Sequence, residues 1–323
     1  MPTKDQLLLY LKENKGNWIS GESISTKMAV SRSAIWKHIQ KLREEGYVIS
    51  SSSKKGYLLR KTSDMLLPSE IREGLTTTVF GKGDIVHFRE TDSTNTRAKA
   101  LAERGAPEGT VIVSEKQIDG RGRKGRNWFS PSQEGIYISL ILKPALSPGE
   151  APKTTLLTAV AVAEALISLT GLAVSIKWPN DILVQGKKIA GILTEISAEI
   201  DAINYIVVGL GLNVNTPDFP SNIKDKATSM FIETGKHFSR VRVLREYLIW
   251  YERYYDLFWR NGFDPILTRW KELANIIGRR MTVETTGTIY TGEVQDIDKD
   301  GVLILKDNQG KQHRIFSGDI SLV

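Results

Sequence analysis

Gly-Arg-Gly-Arg-Lys-Gly-Arg-Asn-Trp, residues 120–128, is the stretch on which the fold prediction depends. Its glycines match the G-x-G-x-x-G pattern of dinucleotide-binding loops, and the apolar run Val111–Val113 predicts a strand before it. A dinucleotide-binding loop opens directly into a helix, whereas Phe129-Ser130-Pro131 follows here without helical periodicity. The stretch also lacks the Gly-Lys-Ser/Thr of a Walker A loop. It therefore indicates a glycine-hinged, arginine-bearing loop that can close over a phosphate ester.

The charge of the chain is concentrated at its N-terminus. The 323 residues are 41% hydrophobic and 25% charged, which is typical of a soluble protein of two or three domains, and the net charge is +7. Residues 1–60 contain eleven Lys or Arg against five Asp or Glu, so most of the net charge lies in the first fifth of the chain. This asymmetry predicts a small polyanion-binding head on a nearly neutral body.

Cysteine is absent from the sequence, which excludes disulfides, cysteine-ligated metal centres and thiolate nucleophiles. We expect a cytoplasmic protein, because the N-terminus has an amphipathic helical pattern and does not resemble a signal peptide. A membrane span is not expected either, since polar residues interrupt the longest apolar stretch, Leu156–Leu169.

Residues 1–62 have the pattern of a winged helix-turn-helix domain. Helices are predicted over 4–14, 21–28 (with Ser20 as N-cap) and 31–45 (with Ser31 as N-cap), followed by a β-hairpin around Ser51–Gly56. Polar and basic side chains on the outer face of the third helix and at the hairpin tip are predicted to contact DNA: Arg32, Ser33, Trp36, Lys37, Gln40, Lys41, Lys54 and Lys55. The alternative is a helical interaction module with a solvated charged face.

The rest of the chain predicts an α+β multidomain protein. Residues 63–275 alternate helices with neighbouring strands joined by hairpins, which favours a mixed or largely antiparallel sheet. Residues 276–323 contain five short strands, the last over 320–323, separated by Gly or Asn turns, which suits a small SH3-like β-barrel.

Four motifs in the central region place polar groups at strand ends or in loops. They are Asp92–Asn95, Gln117 with the 120–128 loop, Lys177–Asp181 and Lys187–Gly191. Each has a structural alternative: Ser-Thr-Asn before a helix can be an N-cap, Pro-Asn-Asp is a good turn, and Trp178 can belong to the core. The small residues after Lys188 allow close approach of the backbone to a ligand.

Taken together, these residues resemble the biotin-protein ligases, and with the N-terminal head they resemble the bifunctional bacterial ligases that also repress the biotin operon. The resemblance covers the whole chain. The motifs that carry it are Asp-Ser-Thr-Asn (92–95), Gly-Arg-Gly-Arg-x-Gly-Arg-x-Trp (120–128), Lys-Trp-Pro-Asn-Asp (177–181), Lys-x-Ala-Gly-Ile-Leu-x-Glu (188–195) and Gly-Leu-Gly-Leu-Asn-Val-Asn (209–215). It implies a central domain related to class II aminoacyl-tRNA synthetases.

The resemblance implies ligation of biotin to a lysine of a biotin carrier domain of carboxylases, with ATP consumed through biotinyl-5′-AMP. Arg121, Arg123 and Lys188 are implied as the catalytic cations. The implied biotin and biotinyl-AMP contacts are Ser93, Thr94, Asn95, Gln117, Arg121, Gly122, Arg123 and Lys188. An apolar wall for the biotin chain is expected from Trp128, Ile192 and Leu193.

Magnesium should accompany ATP, and Asp181 is the candidate ligand, although a turn role explains this residue equally well. None of the four histidines falls in a motif, so none is assigned a role as metal ligand or base. The resemblance further implies that biotinyl-AMP acts as a corepressor that favours a homodimer on two-fold operator DNA.

Two other functions remain open at this point. A lipoate ligase would share the fold and the adenylation chemistry, but it has different lysine-centred motifs and usually lacks a DNA-binding head. Alternatively, the central domain only senses biotin for a transcription factor, against which the presence of Arg121, Arg123 and Lys188 argues. A ligase with a degenerate head is a third, intermediate possibility.

Overall fold

The computed structural model describes residues 4–322, and the chain divides after Glu73 into two compact units. Val323, the end of the last predicted strand, lies outside the described residues, as do residues 1–3 of the predicted head.

The first unit has the three helices and the hairpin that the sequence predicts. Its elements are α1 (Lys4–Glu13), α2 (Gly21–Met28), α3 (Arg32–Glu44), β1 (Val48–Ser52), β2 (Gly56–Lys61) and α4 (Pro68–Arg72). Both predicted N-caps are present, because Ser20 Oγ accepts from Ser23 N at 3.0 Å and Ser31 Oγ accepts from Ala34 N at 3.2 Å. The apolar stripe Ile35, Ile39 and Leu42 is fully buried in the core of this unit.

Residues 63–73 pack onto the head, whereas the sequence places residue 63 at the start of the catalytic domain. Met65 and Leu67 join the hydrophobic core of the first unit. The Ser63 hydroxyl donates to the Glu45 carbonyl, and Glu70 of α4 forms an ion pair with Lys12 of α1. In the structure, the first unit therefore extends to Glu73 because two apolar side chains complete its core.

The second unit contains a seven-stranded sheet in the order β3-β4-β5-β9-β8-β7-β6. These strands are β3 (Ile85–Phe88), β4 (Val111–Ser114), β5 (Gly135–Leu142), β6 (Val174–Lys177), β7 (Asp181–Val184), β8 (Lys187–Ala198) and β9 (Ile203–Asn213). The β3–β4 pair is parallel and the other pairs are antiparallel, which confirms the predicted mixed sheet.

Helices cover both faces of this sheet. They are α5 (Thr94–Glu103), α6 (Ala151–Thr170), α7 (Met230–Thr234), α8 (Arg240–Asn261) and α9 (Asp264–Ala274). Thr194 of β8 bonds to Thr155 of α6 at 2.7 Å, while the adjacent Glu195 contacts α5. Because side chains alternate along a strand, α5 and α6 lie on opposite faces.

One helical stretch, Pro148–Thr170, is long and apolar enough to cross a membrane by length and composition alone. It includes α6, which packs against α8, α9 and β6. Twelve of its twenty residues are buried there, so its apolar character is accounted for by the interior of this unit.

The C-terminal residues form a separate five-stranded antiparallel sheet in the order β13-β12-β11-β10-β14. Its strands are β10 (Arg280–Glu284), β11 (Ile289–Ile297), β12 (Leu303–Asp307), β13 (Gln312–Ile315) and β14 (Asp319–Leu322). Lys271 of α9 pairs with Asp296 at 2.6 Å. This contact ties the sheet to the helical layer of the second unit.

Candidate active site

The nine candidate side chains and glycines of the central region line one pocket in the second unit. These are Ser93, Thr94, Asn95, Gln117, Arg121, Gly122, Arg123, Asp181 and Lys188. The start of α5, the 120–128 loop and strands β7 to β9 bring them together. The pocket has a buried polar side at α5 and a cationic side at the loop.

The polar side is organised around Gln117. Its Oε1 accepts from the backbone N–H of Thr94 at 2.9 Å and from Thr94 Oγ1 at 3.2 Å, and its Nε2 donates to Ser130 Oγ at 3.0 Å. Ser93 occupies the N-cap position of α5 but makes no side-chain capping bond among the described residues. Ser93 is therefore the N-cap of α5 by position but not by a capping hydrogen bond, because Gln117 accepts from the first turn and the Ser93 hydroxyl is left beside the pocket.

The 120–128 loop folds back on itself like a β-hairpin. Trp128 N donates to Gly120 O at 2.8 Å, and Gly122 N donates to Arg126 O at 2.6 Å. A single 3₁₀ turn, Arg123–Gly125, forms the tip, where Gly125 has φ of +70°. The next regular element is β5, so the exclusion of a dinucleotide-binding loop is confirmed.

Each cation of the loop has an oxygen partner. Arg121 pairs with Asp119 at 3.0 Å, and Lys124 and Arg126 both pair with Asp319 of β14. Arg123 donates to Asn180 Oδ1 at 2.9 Å and lies 3.4 Å from the Gly318 carbonyl. Two carboxylates thus face four cations, which leaves this side of the pocket electropositive and suited to a polyanion.

Burial gives Arg123 a different environment from that of Arg121. Burial lowers the pKa of the Arg123 guanidinium, and the nearby carboxylates of Asp319 and Asp181 raise it in part. The Arg121 side chain is half exposed. A partly desolvated guanidinium interacts more strongly with an incoming oxyanion, so Arg123 is the better placed of the two.

Lys188 stands opposite the loop on β8. Its Nζ lies 2.6 Å from Asp181 Oδ1 and 5.2 Å from the centroid of the Trp128 ring. Its backbone is fixed as well, because Lys188 N donates to Lys226 O at 2.7 Å and Lys188 O accepts from Thr228 N at 2.9 Å. Asp181, the Trp128 ring and two backbone hydrogen bonds thus fix the position of Lys188 before any substrate binds.

Three glycines of β8 and β9 make room for side chains of the site. A Cβ at Gly211 would lie 2.3 Å from Trp128 Nε1, one at Gly191 would lie 2.9 Å from Lys188 Cε, and one at Gly209 would lie 2.1 Å from Asn95 Oδ1. The sequence expectation that the small residues after Lys188 admit a ligand to the backbone is therefore incomplete. Trp128, Lys188 and Asn95 themselves occupy that space.

Family models match three parts of the chain. Residues 87–213 match the biotin/lipoate A/B protein ligase family, residues 3–58 an HTH domain, and residues 276–323 the biotin protein ligase C-terminal domain. The bifunctional ligase/repressor BirA of Bacillus subtilis is 42% identical over 98% of this chain and 97% of its own length. BirA of Escherichia coli is 31% identical over 95% and 94%.

The chain belongs to the bifunctional biotin ligase and repressor family. The biotin protein ligase of Aquifex aeolicus, solved in complex with biotin and ATP, superposes with a TM-score of 0.64 at 31% identity. It covers 75% of this chain and 99% of its own.

Several residues of this ligase pocket were missed by the sequence analysis. They are Asn127, Phe129, Asn180, Asn213, Phe219, Ile223, Lys226, Ala227 and Asp319. Asn180 and Asn213 lie inside two of the recognised motifs, which was an available signal. Asp319 lies near the C-terminus and only the folded chain brings it to the loop.

Asp181 is the candidate magnesium ligand of the pocket. No group of three or more His, Asp or Glu side chains among residues 4–322 could hold a metal ion. A magnesium ion that uses one or two carboxylates, water and substrate phosphates needs no such group, so Asp181 fits this type of site. Its present partner is Lys188, at 2.6 Å.

The predicted DNA-contacting residues lie on the head. On α3, Arg32, Ser33, Trp36, Lys37 and Lys41 are exposed and Gln40 is partly buried. Lys54 and Lys55 are exposed in the turn between β1 and β2. The helix and the hairpin tip therefore both present cations to solvent.

Proposed function

We propose that this protein activates biotin with ATP, transfers it to a lysine of biotin carrier domains of carboxylases, and represses biotin synthesis genes with biotinyl-5′-AMP as corepressor. The observation that carries the enzymatic proposal is the division of the pocket into a buried amide and hydroxyl side and a cationic side. A molecule with a ureido ring at one end and a carboxylate at the other fits this polarity.

In the first step, a biotin carboxylate oxygen attacks the α-phosphorus of ATP, and the bond to the pyrophosphate oxygen breaks. Both reactants are anions, so the rate depends on cations that bring them together and stabilise the charge that develops. Arg123 and Lys188 fill this role from opposite sides of the pocket. Arg121, on the outer part of the loop, and the Gly122 backbone complete the contact with the activated carboxyl group.

In the second step, the lysine amine of the carrier attacks the carbonyl carbon of the mixed anhydride, and AMP leaves. No nucleophile of the ligase is needed, in agreement with a chain without cysteine. The 120–128 loop protects the anhydride from water if it stays closed until the carrier arrives. Magnesium held by Asp181 would screen the phosphate charges.

The remaining walls of the pocket suit the other parts of the substrates. Ser93, Thr94, Asn95 and Gln117 supply the polar contacts to the ureido ring, and Ile192 and Leu193 line the path of the aliphatic chain. Phe129 and Phe219 form an edge-to-face pair at 6.1 Å. This aromatic surface suits a purine ring.

The proposed repressor function requires a homodimer that presents two recognition helices. β7 pairs with β8 only as far as Gly191, so among the described strands Leu193–Ala198 pair with β9 alone. An unpaired strand edge supports association of two copies. DNase footprinting with and without biotinyl-AMP tests this part, and equal operator occupancy would contradict it.

The finer fold assignments belong to this proposal as well. The covered seven-stranded sheet is compatible with a class II aminoacyl-tRNA synthetase-like domain, and the five-stranded C-terminal sheet with an SH3-like barrel. We also propose residues 63–275 as the catalytic domain in function, 276–323 as the C-terminal domain, and the cytoplasm as the location.

Biotin-dependent exchange of pyrophosphate into ATP tests the enzymatic proposal. Arg123→Ala and Lys188→Ala are expected to lose exchange, whereas Lys187→Ala, the adjacent exposed lysine, serves as the matched control and should keep it. Full exchange in both site variants would refute the assigned site. Exchange with lipoate in place of biotin would favour a lipoate ligase, and normal DNA binding without exchange would favour a biotin sensor.

A further inference from the structure

The amide of Asn95 has a single possible orientation in the pocket. Asn95 is 4% exposed. Its Nδ2 lies 3.1 Å from the Leu193 carbonyl and 2.8 Å from Glu195 Oε2. Both partners can only accept, so the amide nitrogen must face them and both of its hydrogens are used.

The oxygen of the same amide faces the hydroxyl groups of the site. Ser139 Oγ lies 2.6 Å from Asn95 Oδ1 and 2.8 Å from Thr94 Oγ1. Ser139 is fully buried, so its hydroxyl has these two partners and little access to water. Asn95 and Thr94 thus share Ser139 as a partner, so a displaced Asn95 amide also disturbs the surroundings of Thr94, which lines the pocket.

Glu195 is itself held by a cation from α5. Lys99 Nζ lies 2.7 Å from Glu195 Oε1, so the two carboxylate oxygens serve two different donors. Lys99 and Asn95 are four residues apart on α5 and therefore face the same part of β8. Neither Lys99 nor Glu195 lines the pocket, and each is about one-third exposed.

We propose that Glu195 and Lys99 are positioning residues of the biotin site. They fix the Asn95 amide and, through Ser139, the position of the Thr94 hydroxyl before the ligand enters. The ligand that suits this arrangement carries N–H and C=O groups on one ring. This inference rests on the proposed function, because the ureido ring of biotin is that ligand. Gly209 is the third requirement, since any Cβ there would displace Asn95.

Glu195→Gln is the isosteric test, because an amide offers one oxygen where the carboxylate offers two. Lys99 takes this oxygen, and the new NH₂ group then faces the NH₂ group of Asn95. We expect the KM for biotin in the exchange assay to rise about tenfold, the effect of losing a hydrogen bond to a charged group. The KM for ATP should change less than about twofold, since the network lies on the biotin side.

Lys99→Met separates positioning from general damage. By itself it leaves Glu195 free to accept from Asn95, so the KM for biotin should rise only about twofold. The double variant combines Glu195→Gln with Lys99→Met. Without the Lys99 ammonium to attract it, the oxygen of the introduced amide turns to Asn95. The KM for biotin should therefore fall below that of Glu195→Gln alone, a rescue that loss of stability cannot produce.

Glu199→Gln, at an exposed position of the same hairpin, is the matched control and should behave as wild type. An unchanged KM for biotin in Glu195→Gln overturns the inference, and so does a double variant that is as impaired as Glu195→Gln. Equal rises in both KM values overturn it as well. Absence of biotin-dependent exchange in the wild-type protein would instead contradict the proposed function itself.

Discussion

Gly211→Ala tests whether the position of Trp128 controls catalysis. An added Cβ would lie 2.3 Å from Trp128 Nε1 and 2.4 Å from Cε2. Contacts below 3.4 Å are already unusually tight, so the indole must move by about 1 Å to restore an ordinary van der Waals distance. Trp128 is bonded to Gly120 and lies 5.2 Å from Lys188 Nζ, so the displacement reaches both sides of the pocket.

The expected loss follows from that displacement. Misplacement of a positioning group by about 1 Å costs roughly 100-fold in rate. This corresponds to about 2.7 kcal/mol of transition-state stabilisation. The backbone at Gly211 lies in a strand, so alanine is tolerated there and its lower unfolded-state entropy offsets part of the clash. We expect kcat/KM for biotin transfer to fall about 100-fold while Tm shifts by only a few degrees.

The assay is transfer of labelled biotin to a carrier domain, with thermal unfolding measured in parallel. Gly83→Ala is the control, because its Cβ would meet nothing within 4 Å. Trp128→Ala should abolish the additional effect of Gly211→Ala, since the clash then disappears. A Gly211→Ala protein within twofold of wild-type kcat/KM would refute this account of the glycine.

Three further predictions concern the loop, the fold and the head. Asp319→Asn removes the carboxylate that pairs with Lys124 and Arg126, and because such exposed pairs contribute at most about 1 kcal/mol, tryptic cleavage in residues 120–128 should accelerate up to about fivefold. Unchanged cleavage would mean that other contacts hold the loop. Burial raises the pKa of Glu252. Hydrogen bonds from the backbone N–H groups of Thr78, Phe80 and Val79 lower it by more than burial raises it, so the net pKa lies below the usual value. Its stabilisation is therefore present above the unfolded value of about 4.3 and is lost as pH falls through the folded value. In urea unfolding, Glu252→Gln should cost about 2 kcal/mol at pH 7 and progressively less as pH falls below about 4.3, and a pH-independent difference would contradict this assignment. Lys37→Ala should reduce the salt slope of DNA binding by about 1, and an unchanged slope would place Lys37 away from phosphate.

The parts of this fold that the sequence predicts well are those set by local patterns. Ser20 and Ser31 precede amphipathic runs, and both cap helices. Gln185-Gly186 forms the turn of one of the hairpins expected in the central region, with positive φ at both positions. In each case the residues that determine the structure are adjacent in the chain. The same holds for the nine candidate site residues taken from the motifs, each of which lines the pocket.

The parts that the sequence does not predict depend on contacts between distant segments. Asp319 meets Lys124 across 195 residues, and no pattern in either segment indicates this pair. Met65 and Leu67 lie beyond residue 62, where the sequence analysis ends the head, yet both pack in the hydrophobic core of the head. Ser93 has the residue type of an N-cap, but Gln117 competes successfully for the first turn of α5.

The path of β8 explains how one strand serves both sides of the pocket. Side chains alternate along a strand, so Lys188 would ordinarily point away from Gly191, Leu193 and Glu195. The pairing of β7 with β8 shifts between Ile182 and Leu183: Ile182 pairs with Ala190, whereas Leu183 pairs with Lys188. The extra residue is a β-bulge, which turns Lys188 onto the face of Gly191, and a Cβ at Gly191 would indeed meet Lys188 Cε at 2.9 Å. Regular pairing through Ile189 would turn the Lys188 ammonium to the opposite face of the sheet, toward α6. This one irregularity therefore allows β8 to contribute both the cation and, seven residues later, the carboxylate that orients Asn95.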